Sequence, residues 1–374
     1  MRSGKYISQL SGELAYQAFV PNKLPFQITI DETMQKLLSE ADQYLGRLDG
    51  IGETIPDVDF FILMYVKKEA TLSSQVEGTQ ATFSDVLKAE MRIKDVEMHN
   101  DVDEIINYIK AMNHGLERIL SLPLSLRLIR EIHGILLQGV RGVGKTPGEF
   151  RTTQNWIGGP TPQTAVFIPP PAHLVMDLLD NLEKYFYDTN PLPTLIKSGL
   201  LHAQFEGIHP FLDGNGRIGR LLITFYLCQK GVLKKPLLYL SDFFKEYRQD
   251  YYDKLQAFHG KYDIEGWLKF FLTGVSKTAK KAITTAQNIQ KLRANDISKI
   301  IKLGRSSEKA LILLNALFKT PIVRIKDIEK ITKLSNPNAL ILTEKMTRLD
   351  ILKETTGKKR NRVYQYQKYI ETFY

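Results

Sequence analysis

Ile208-His209-Pro210-Phe211-Leu212-Asp213-Gly214-Asn215-Gly216-Arg217-Ile218-Gly219-Arg220, in one-letter code IHPFLDGNGRIGR, runs without a break into the apolar stretch LLITFYLC. A histidine, a carboxylate, an amide, three glycines and two arginines stand together at what reads as the start of a helix. Glycines at 214 and 216 let backbone N–H groups approach an anion with no Cβ in the way, and the helix N-terminus adds the positive end of its dipole. Arg217 and Arg220 are three apart, so their side chains share a helix face and can close on the same anion. Two arginines at such a turn suit a polyphosphate better than a single carboxylate. Asp213 is a hard oxygen ligand of the kind that holds Mg²⁺ between phosphate oxygens. His209 has an imidazole suited to taking a proton from an attacking hydroxyl. Phe211 is expected to point inward and anchor the loop. Each residue alone has an ordinary structural use; their combination in fixed order favours a shared functional site.

Outside this stretch, composition sets the class. The chain has 374 residues, 43% hydrophobic and 25% charged, enough for a sizeable core and for two or three domains. MRSGKYISQL carries neither an apolar core region nor a small-residue cleavage pattern, so no secretory signal is expected. The apolar runs LLITFYLC and FFILMYV are too short to span a bilayer, and a soluble, cytoplasmic protein without membrane partners is the expectation. The single cysteine, Cys228, falls within the LLITFYLC helix and reads as a buried inert thiol. The net charge of +10 is uneven: residues 276–374 hold 22 basic and 8 acidic residues, the rest 29 and 33. A basic tail hints at nucleic acid or acidic partners.

Helix-period patterns dominate. They include DETMQKLLSEADQYLGRL, a run from Asp57 to a helix stop at Gly78, DVDEIINYIKAMNHGLERIL, LSLRLIREIHGILLQGV, LVMDLLDNLEKYF and LPTLIKSGLLHAQFEGI. Between Phe150 and Pro170, FRTTQNWIGGPTPQTAVFIPP sets two short strand-like runs around a Gly/Pro/Thr loop, a β-hairpin signature. VSKTAKKAITTAQNIQKL reads as a helical connector. From about Ser306, three short helix patterns (ALILLNALFKT, KDIEKIT, NALILTEKMTRL) precede two strand-like runs in ILKETTGKKRNRVYQYQ, the element order of a winged helix-turn-helix.

HPFLDGNGRIGR resembles the signature of the Fic family, His-Pro-Phe-x-Asp/Glu-Gly-Asn-Gly-Arg-x-x-Arg, at every specified position. The resemblance implies a mainly α fold: a Fic-type helical bundle core with a β-hairpin flap, plus the C-terminal winged helix. It divides the chain into an N-terminal helical segment (1–100), a catalytic core (101–274), a helical connector (275–305) and the terminal winged helix (306–374). It implies a protein adenylyltransferase that moves AMP from ATP, with Mg²⁺, to a Ser, Thr or Tyr hydroxyl of a target protein. By that analogy His209 is the general base and Asp213 the metal ligand. Gly214, Asn215, Gly216, Arg217, Gly219 and Arg220 hold the nucleotide. Val166, Phe167 and Ile168 belong to a flap that lines up an extended stretch of the target by strand pairing, and PGEFRTTQNWIGG followed by FIPPP extends the match. The adenine pocket is expected near Tyr247–His259, with Tyr252 as a contact; some relatives carry Asn where His259 stands.

A second feature resembles the family's inhibitory pattern, [Ser/Thr]-x-x-x-Glu-[Gly/Asn], here Ser73-x-x-x-Glu77-Gly78. Glu77 would pair with Arg220 and occupy the guanidinium that the ATP γ-phosphate needs. Standing before the catalytic motif in the same chain, it resembles the second of the family's inhibition classes. Other readings stay open: AMP removal with Glu77 positioning a water, transfer of another phosphate-bearing group, and a nucleotide-sensing regulator that binds DNA through GKKRNR in the wing. Self-modification and a homodimer are further expectations; the target protein is not legible.

Overall fold

The computed structural model describes residues 2–54, 58–90, 101–139 and 144–374. The sequence-based helix start at Asp57, and the domain boundary after residue 100, fall outside the described residues. Two elements open the chain, β1 (Gly4–Gln9) and β2 (Tyr16–Pro21), paired antiparallel with Gly4 opposite Pro21 and Gln9 opposite Tyr16. Ten helices follow to the end of the motif-bearing region: α1 (Glu32–Thr54), α2 (Val58–Val76), α3 (Phe83–Glu90), α4 (Val102–Arg118), α5 (Leu126–Leu136), α6 (Ala172–Phe186), α7 (Thr194–Ile208), α8 (Asn215–Gln229), α9 (Ser241–Glu246) and α10 (Arg248–Gly260). The long α11 (Ile264–Ile301) leads into α12 (Ser307–Lys319), β3 (Ile322–Arg324), α13 (Ile325–Thr332), α14 (Asn336–Arg348), β4 (Lys353–Glu354), β5 (Val363–Gln365) and α15 (Gln367–Glu371).

The core is organised by α7 and α8. Every residue from Leu195 to Ile208 is buried, and so is nearly every residue of α8 as far as Leu227. Helices without a solvent face belong at the centre of a bundle, and the other helices pack around this pair. Close approach is built in: a Cβ on Gly115 of α4 would collide with the Phe225 ring of α8, and one on Gly199 of α7 would press on Phe271 and Leu268 of α11. Local signals start the surrounding helices. Ser125 caps α5 by accepting the Leu128 N–H, and Asp263 caps α11 by accepting the Gly266 N–H at 2.9 Å.

The first 21 residues, read as part of a helical segment, form the β1–β2 hairpin instead. Its strand β2 donates the Phe19 N–H to the Ile168 carbonyl at 2.8 Å, so the hairpin docks beside the 150–170 segment. That segment in turn departs from the two-strand reading: a single antiparallel bridge, Ile157 with Phe167, closes it around a 3₁₀ turn at Pro162–Thr164. The ladder is short because neighbouring backbone groups are committed elsewhere, Arg151 N–H to the Pro210 carbonyl and the Ile168 carbonyl to Phe19.

At the C-terminus, α12–α14 and a three-stranded antiparallel sheet of order β3-β5-β4 follow the expected element order, with β3 and α15 added. The region is joined to the rest by buried contacts. Tyr366 donates its hydroxyl to Asp296 of α11 at 2.8 Å. Phe373 lies against Phe61 and Tyr65 of α2 and Phe83 of α3, with ring centroids 5.8–6.5 Å apart. Cys228 is half-buried and burial raises its thiol to about 12, which fits an inert side chain. No helix of the described residues is long and apolar enough to cross a membrane. Phe373→Ala is expected to cost about 3 kcal/mol through lost burial and a residual cavity; a urea-unfolding midpoint equal to that of the wild type would show that the tail does not support α2.

Candidate active site

α7 stops at His209, whose backbone is left-handed (φ 48°, ψ 60°), and α8 starts at Gly214, also left-handed (φ 77°, ψ 5°). Glycine takes this conformation without strain, whereas a histidine does not, and strained backbone of this kind concentrates at functional sites. The six residues between the helices, 209–214, are over-determined by neighbours. Asn215 accepts the Phe211 N–H and donates to the Phe211 carbonyl, both at 2.8 Å. Both ends of its amide are therefore spent on the loop, which leaves backbone N–H groups to face an anion. Phe211 is buried, as expected, and stacks on His133 of α5 with centroids 3.7 Å apart and planes 7° from parallel.

Three further residues hold the loop. His133 Nδ1 accepts the Gly148 N–H at 2.8 Å, so its Nε2 carries the proton and donates to the Asp213 carbonyl at 3.0 Å. Arg151 is buried and caps carbonyls: His209 at 2.9 Å, Pro170 at 2.6 Å, Thr153 at 3.1 Å and Ile208 at 3.3 Å. Burial lowers its guanidinium to about 10. Asn155 donates to the carbonyls of Phe211 at 2.9 Å and His209 at 3.3 Å. The 148–170 segment and the 209–214 loop are thus one hydrogen-bonded unit.

Within this frame, His209 presents an imidazole that is 18% exposed, with Nδ1 4.0 Å from Glu206 Oε2. Burial, and then the Arg151 charge, lower it to about 4, so it is neutral at physiological pH and competent to accept a proton. Asp213 keeps a carboxylate 41% exposed, accepts the Gly214 N–H at 2.5 Å and sits 3.4 Å from Arg217. Arg217 also meets Glu104 of α4 at 3.4 Å. Arg220 is almost completely enclosed, its side chain 1% exposed. It donates Nε to the Ser73 hydroxyl at 2.8 Å, and its second nitrogen to the Ser73 carbonyl at 2.9 Å and to Glu77 Oε1 at 2.8 Å. Burial alone would raise Glu77; the Arg220 charge and hydrogen bond more than offset it and hold Glu77 below the usual carboxylate range. Gly78 is left-handed (φ 99°), which ends the helix turn that carries Glu77.

Two motif glycines are explained by what lies against them. A Cβ on Gly216 would run into Glu77 Oε1 and Arg220, and one on Gly219 into Glu206 Oε1 and His202. Tyr252 is half-buried under Arg248 and reaches the Val76 carbonyl at 3.4 Å, so it touches the end of the helix bearing Ser73. His259 stacks on Phe167 with centroids 4.7 Å apart. Of the three residues expected in the flap, Val166 is exposed, Phe167 is partly covered by His259, and Ile168 is buried against β2.

Comparison with known proteins agrees with this geometry. The Fic/DOC family N-terminal pattern matches residues 35–117 and the Fic/DOC family pattern matches residues 123–227. The chain belongs to the Fic/DOC family. It is 30% identical over 228 residues to a protein adenylyltransferase Fic of Drosophila grimshawi, covering 58% of this chain and 44% of that protein. It is 25% identical over 288 residues to the protein of the same name from Aedes aegypti, covering 73% and 53%. The chain thus spans about half the length of the curated relatives it matches. A Fic family protein from Desulfovibrio desulfuricans G20 shares the fold, with TM-score 0.59 at 19% identity over 90% of this chain and 97% of that one.

Sequence reading names the Fic motif and Ser73-Glu77-Gly78 but misses His133, Arg151, Asn155 and Glu104. His133 had a visible signal: it lies on the apolar stripe of LSLRLIREIHGILLQGV with Ile129, Ile132 and Leu136. Arg151 and Asn155 lie in PGEFRTTQNWIGG, the segment that extends the family resemblance. Glu104 carries no sequence signal toward Arg217. Burial lowers His133, His209 and His259 each to about 4 and His202 to about 3. Imidazole NMR at pH 6 is therefore expected to find all four neutral; a midpoint above pH 6 for any of them contradicts the enclosure described.

Proposed function

We propose that the chain is a protein adenylyltransferase that transfers AMP from ATP to a hydroxyl of a target protein and is restrained by Glu77. One observation carries this reading. A neutral imidazole and a glycine-lined helix N-terminus share one rigid loop, and the buried arginine that would meet the outer phosphates is already paired with a carboxylate. The names of the Drosophila and Aedes relatives support the same activity.

The steps follow from the residues. His209 accepts the proton of a Ser, Thr or Tyr hydroxyl as its oxygen bonds the α-phosphorus. The bond from that phosphorus to the bridging oxygen breaks, and pyrophosphate leaves with the electron pair. The backbone at Gly214–Gly216 and the N-terminus of α8 face the phosphate charge. Arg217 and Arg220 take the outer phosphates, with Gly219 allowing the close approach of Glu206 beneath. Mg²⁺ fits here through Asp213 alone: its carboxylate is exposed, and among the described residues no three His, Cys, Asp or Glu side chains gather as a cage. Such an ion, held by one carboxylate and the phosphate oxygens, would neutralise phosphate charge. Val166 offers an exposed flap position for an extended target segment, and Tyr252 and His259 border the adenine side.

In this reading Glu77 restrains transfer by holding Arg220, so that a bound nucleotide meets the hydroxyl out of line. Small misplacements of reacting groups cost on the order of 10²-fold in rate. With ATP labelled at the α-phosphate, Mg²⁺ and a cell lysate, Glu77→Gly is expected to raise protein labelling at least about tenfold. His209→Ala in the same background should remove about 10²-fold or more of it. Absence of label from Glu77→Gly on itself and on every lysate protein would reject the adenylyltransferase reading.

A further inference from the structure

Glu206, in the last turn of α7, has no part in the steps above. It is buried, and its Oε1 has no hydrogen-bond partner in the protein. That oxygen lies against Gly219, where any Cβ would collide with it. Its Oε2 is 4.0 Å from His209 Nδ1, which is also buried and makes no close hydrogen bond, although the Glu206 backbone also favours a proton on the ring. The spacing of three residues, together with the left-handed turn at His209, folds the ring back over the end of its own helix. Buried polar groups are normally paired, and each unpaired one is destabilising. Here the unpaired Nδ1 of His209 stands 4.0 Å from the second oxygen of the same carboxyl, Oε2, a contact that is nearly made.

We propose, on the basis of the AMP-transfer reading, that Glu206 is a positioning residue for His209. Once Glu77 leaves Arg220, the Glu206 carboxylate accepts the Nδ1–H of the imidazole. Nε2 is then the unprotonated nitrogen and faces the target hydroxyl, and the carboxylate balances the imidazolium that forms when Nε2 takes the proton.

The charges around Glu206 give this arrangement a condition. It faces Arg220 of α8, Glu77 at the end of α2, Tyr251 and Tyr252 of α10, His202 of its own helix and the His209 ring. Burial pushes Glu206 up, Arg220 pulls it down, and Glu77 pushes it up again, to about 8. With Glu77 in place the group is therefore mostly protonated at neutral pH and cannot serve as an anion. Removing the Glu77 charge leaves the Arg220 field acting on Glu206 and favours the carboxylate. A carboxyl with a raised value gains charge as pH rises through that value, and removing Glu77 moves that gain to lower pH. His209, already neutral there, adds no titration of its own in the same window.

The test uses the full chain carrying Glu77→Gly, compared with Glu77→Gly/Glu206→Gln and Glu77→Gly/Glu206→Asp. Glu206→Gln is expected to lower kcat for AMP transfer by roughly tenfold to a hundredfold with KM for ATP unchanged, and to flatten the rise in rate with pH. Glu206→Asp should recover part of the rate. In parallel, ¹⁵N imidazole NMR should find His209 as the Nδ1–H tautomer in Glu77→Gly, with that bias lost in the Glu206→Gln variant. An unchanged kcat and tautomer would overturn the proposal, as would a loss confined to KM for ATP, which would assign Glu206 to Arg220 instead. If Glu77→Gly transfers no AMP, the adenylyltransferase reading falls, while the tautomer comparison still decides the pairing of Glu206 with His209.

Discussion

The arrangement turns on the burial of Arg220. A guanidinium enclosed to 1% exposure in the middle of a helical bundle needs an anion and several acceptors. Ser73 and Glu77 supply both from a single helix end: a hydroxyl, a carbonyl and a carboxylate. Removing one partner of such a pair typically costs about 3–5 kcal/mol, because the remaining charge stays buried. A polyphosphate would be a substitute partner of the same sign, so in the proposed reading nucleotide and Glu77 compete for one charge. Restraint and substrate affinity then become two readings of a single electrostatic requirement. The glycine at 216 belongs to the same requirement, since any side chain there would displace the Glu77 carboxylate.

Rigidity comes from the other side of the site. The loop between α7 and α8 is fixed by Asn215 from within, by the His133–Phe211 stack from below, and by Arg151 and Asn155 from the 148–170 segment. Arg151 is unusual in spending its donors on carbonyls alone, which is why burial lowers it. A positive group behind the loop also disfavours protonation of His209, so the residue that shapes the loop helps keep the imidazole neutral. Geometry and proton affinity have the same source here.

Legibility in the sequence followed the range of the interaction. The motif 209–220 and the Ser73-x-x-x-Glu77-Gly78 turn are local patterns, and the structure brings Glu77 and Arg220 to 2.8 Å although they lie 143 residues apart. Helix periodicity located most of α1–α14, because a buried stripe leaves a repeat in the chain. The β1–β2 hairpin escaped notice because its strands are six residues each, β1 largely exposed and β2 with its buried residues Ala18 and Phe19 adjacent, so alternation is weak. The 150–170 segment looked like a hairpin from its turn residues, but its backbone bonds with Pro210 and Phe19 cut the ladder to one bridge. His133, Arg151, Asn155 and Glu104 act through contacts with distant segments, which leave no period to read. Glu206 stood three residues before His209 in plain view, yet only the left-handed turn at His209 makes that spacing a contact.

The same contacts indicate where a release of Arg220 costs least. Helix α2 is held along its length: Lys68 to Asp242 at 3.1 Å, Glu69 to Ser241 and to Tyr108, Lys245 to Gln75 at 2.7 Å, and Arg248 to the Val76 carbonyl at 2.9 Å. Its apolar face is covered by Phe373 from the C-terminal region. Lifting the helix would break all of these together. Glu77 instead stands just beyond the end of α2, on a turn closed by a left-handed glycine, with its side chain 38% exposed. Opening free energy is lowest where buried contacts are fewest. Rotation of this one side chain, with α2 left in place, therefore frees Arg220 at the smallest cost and leaves the loop that carries His209 undisturbed.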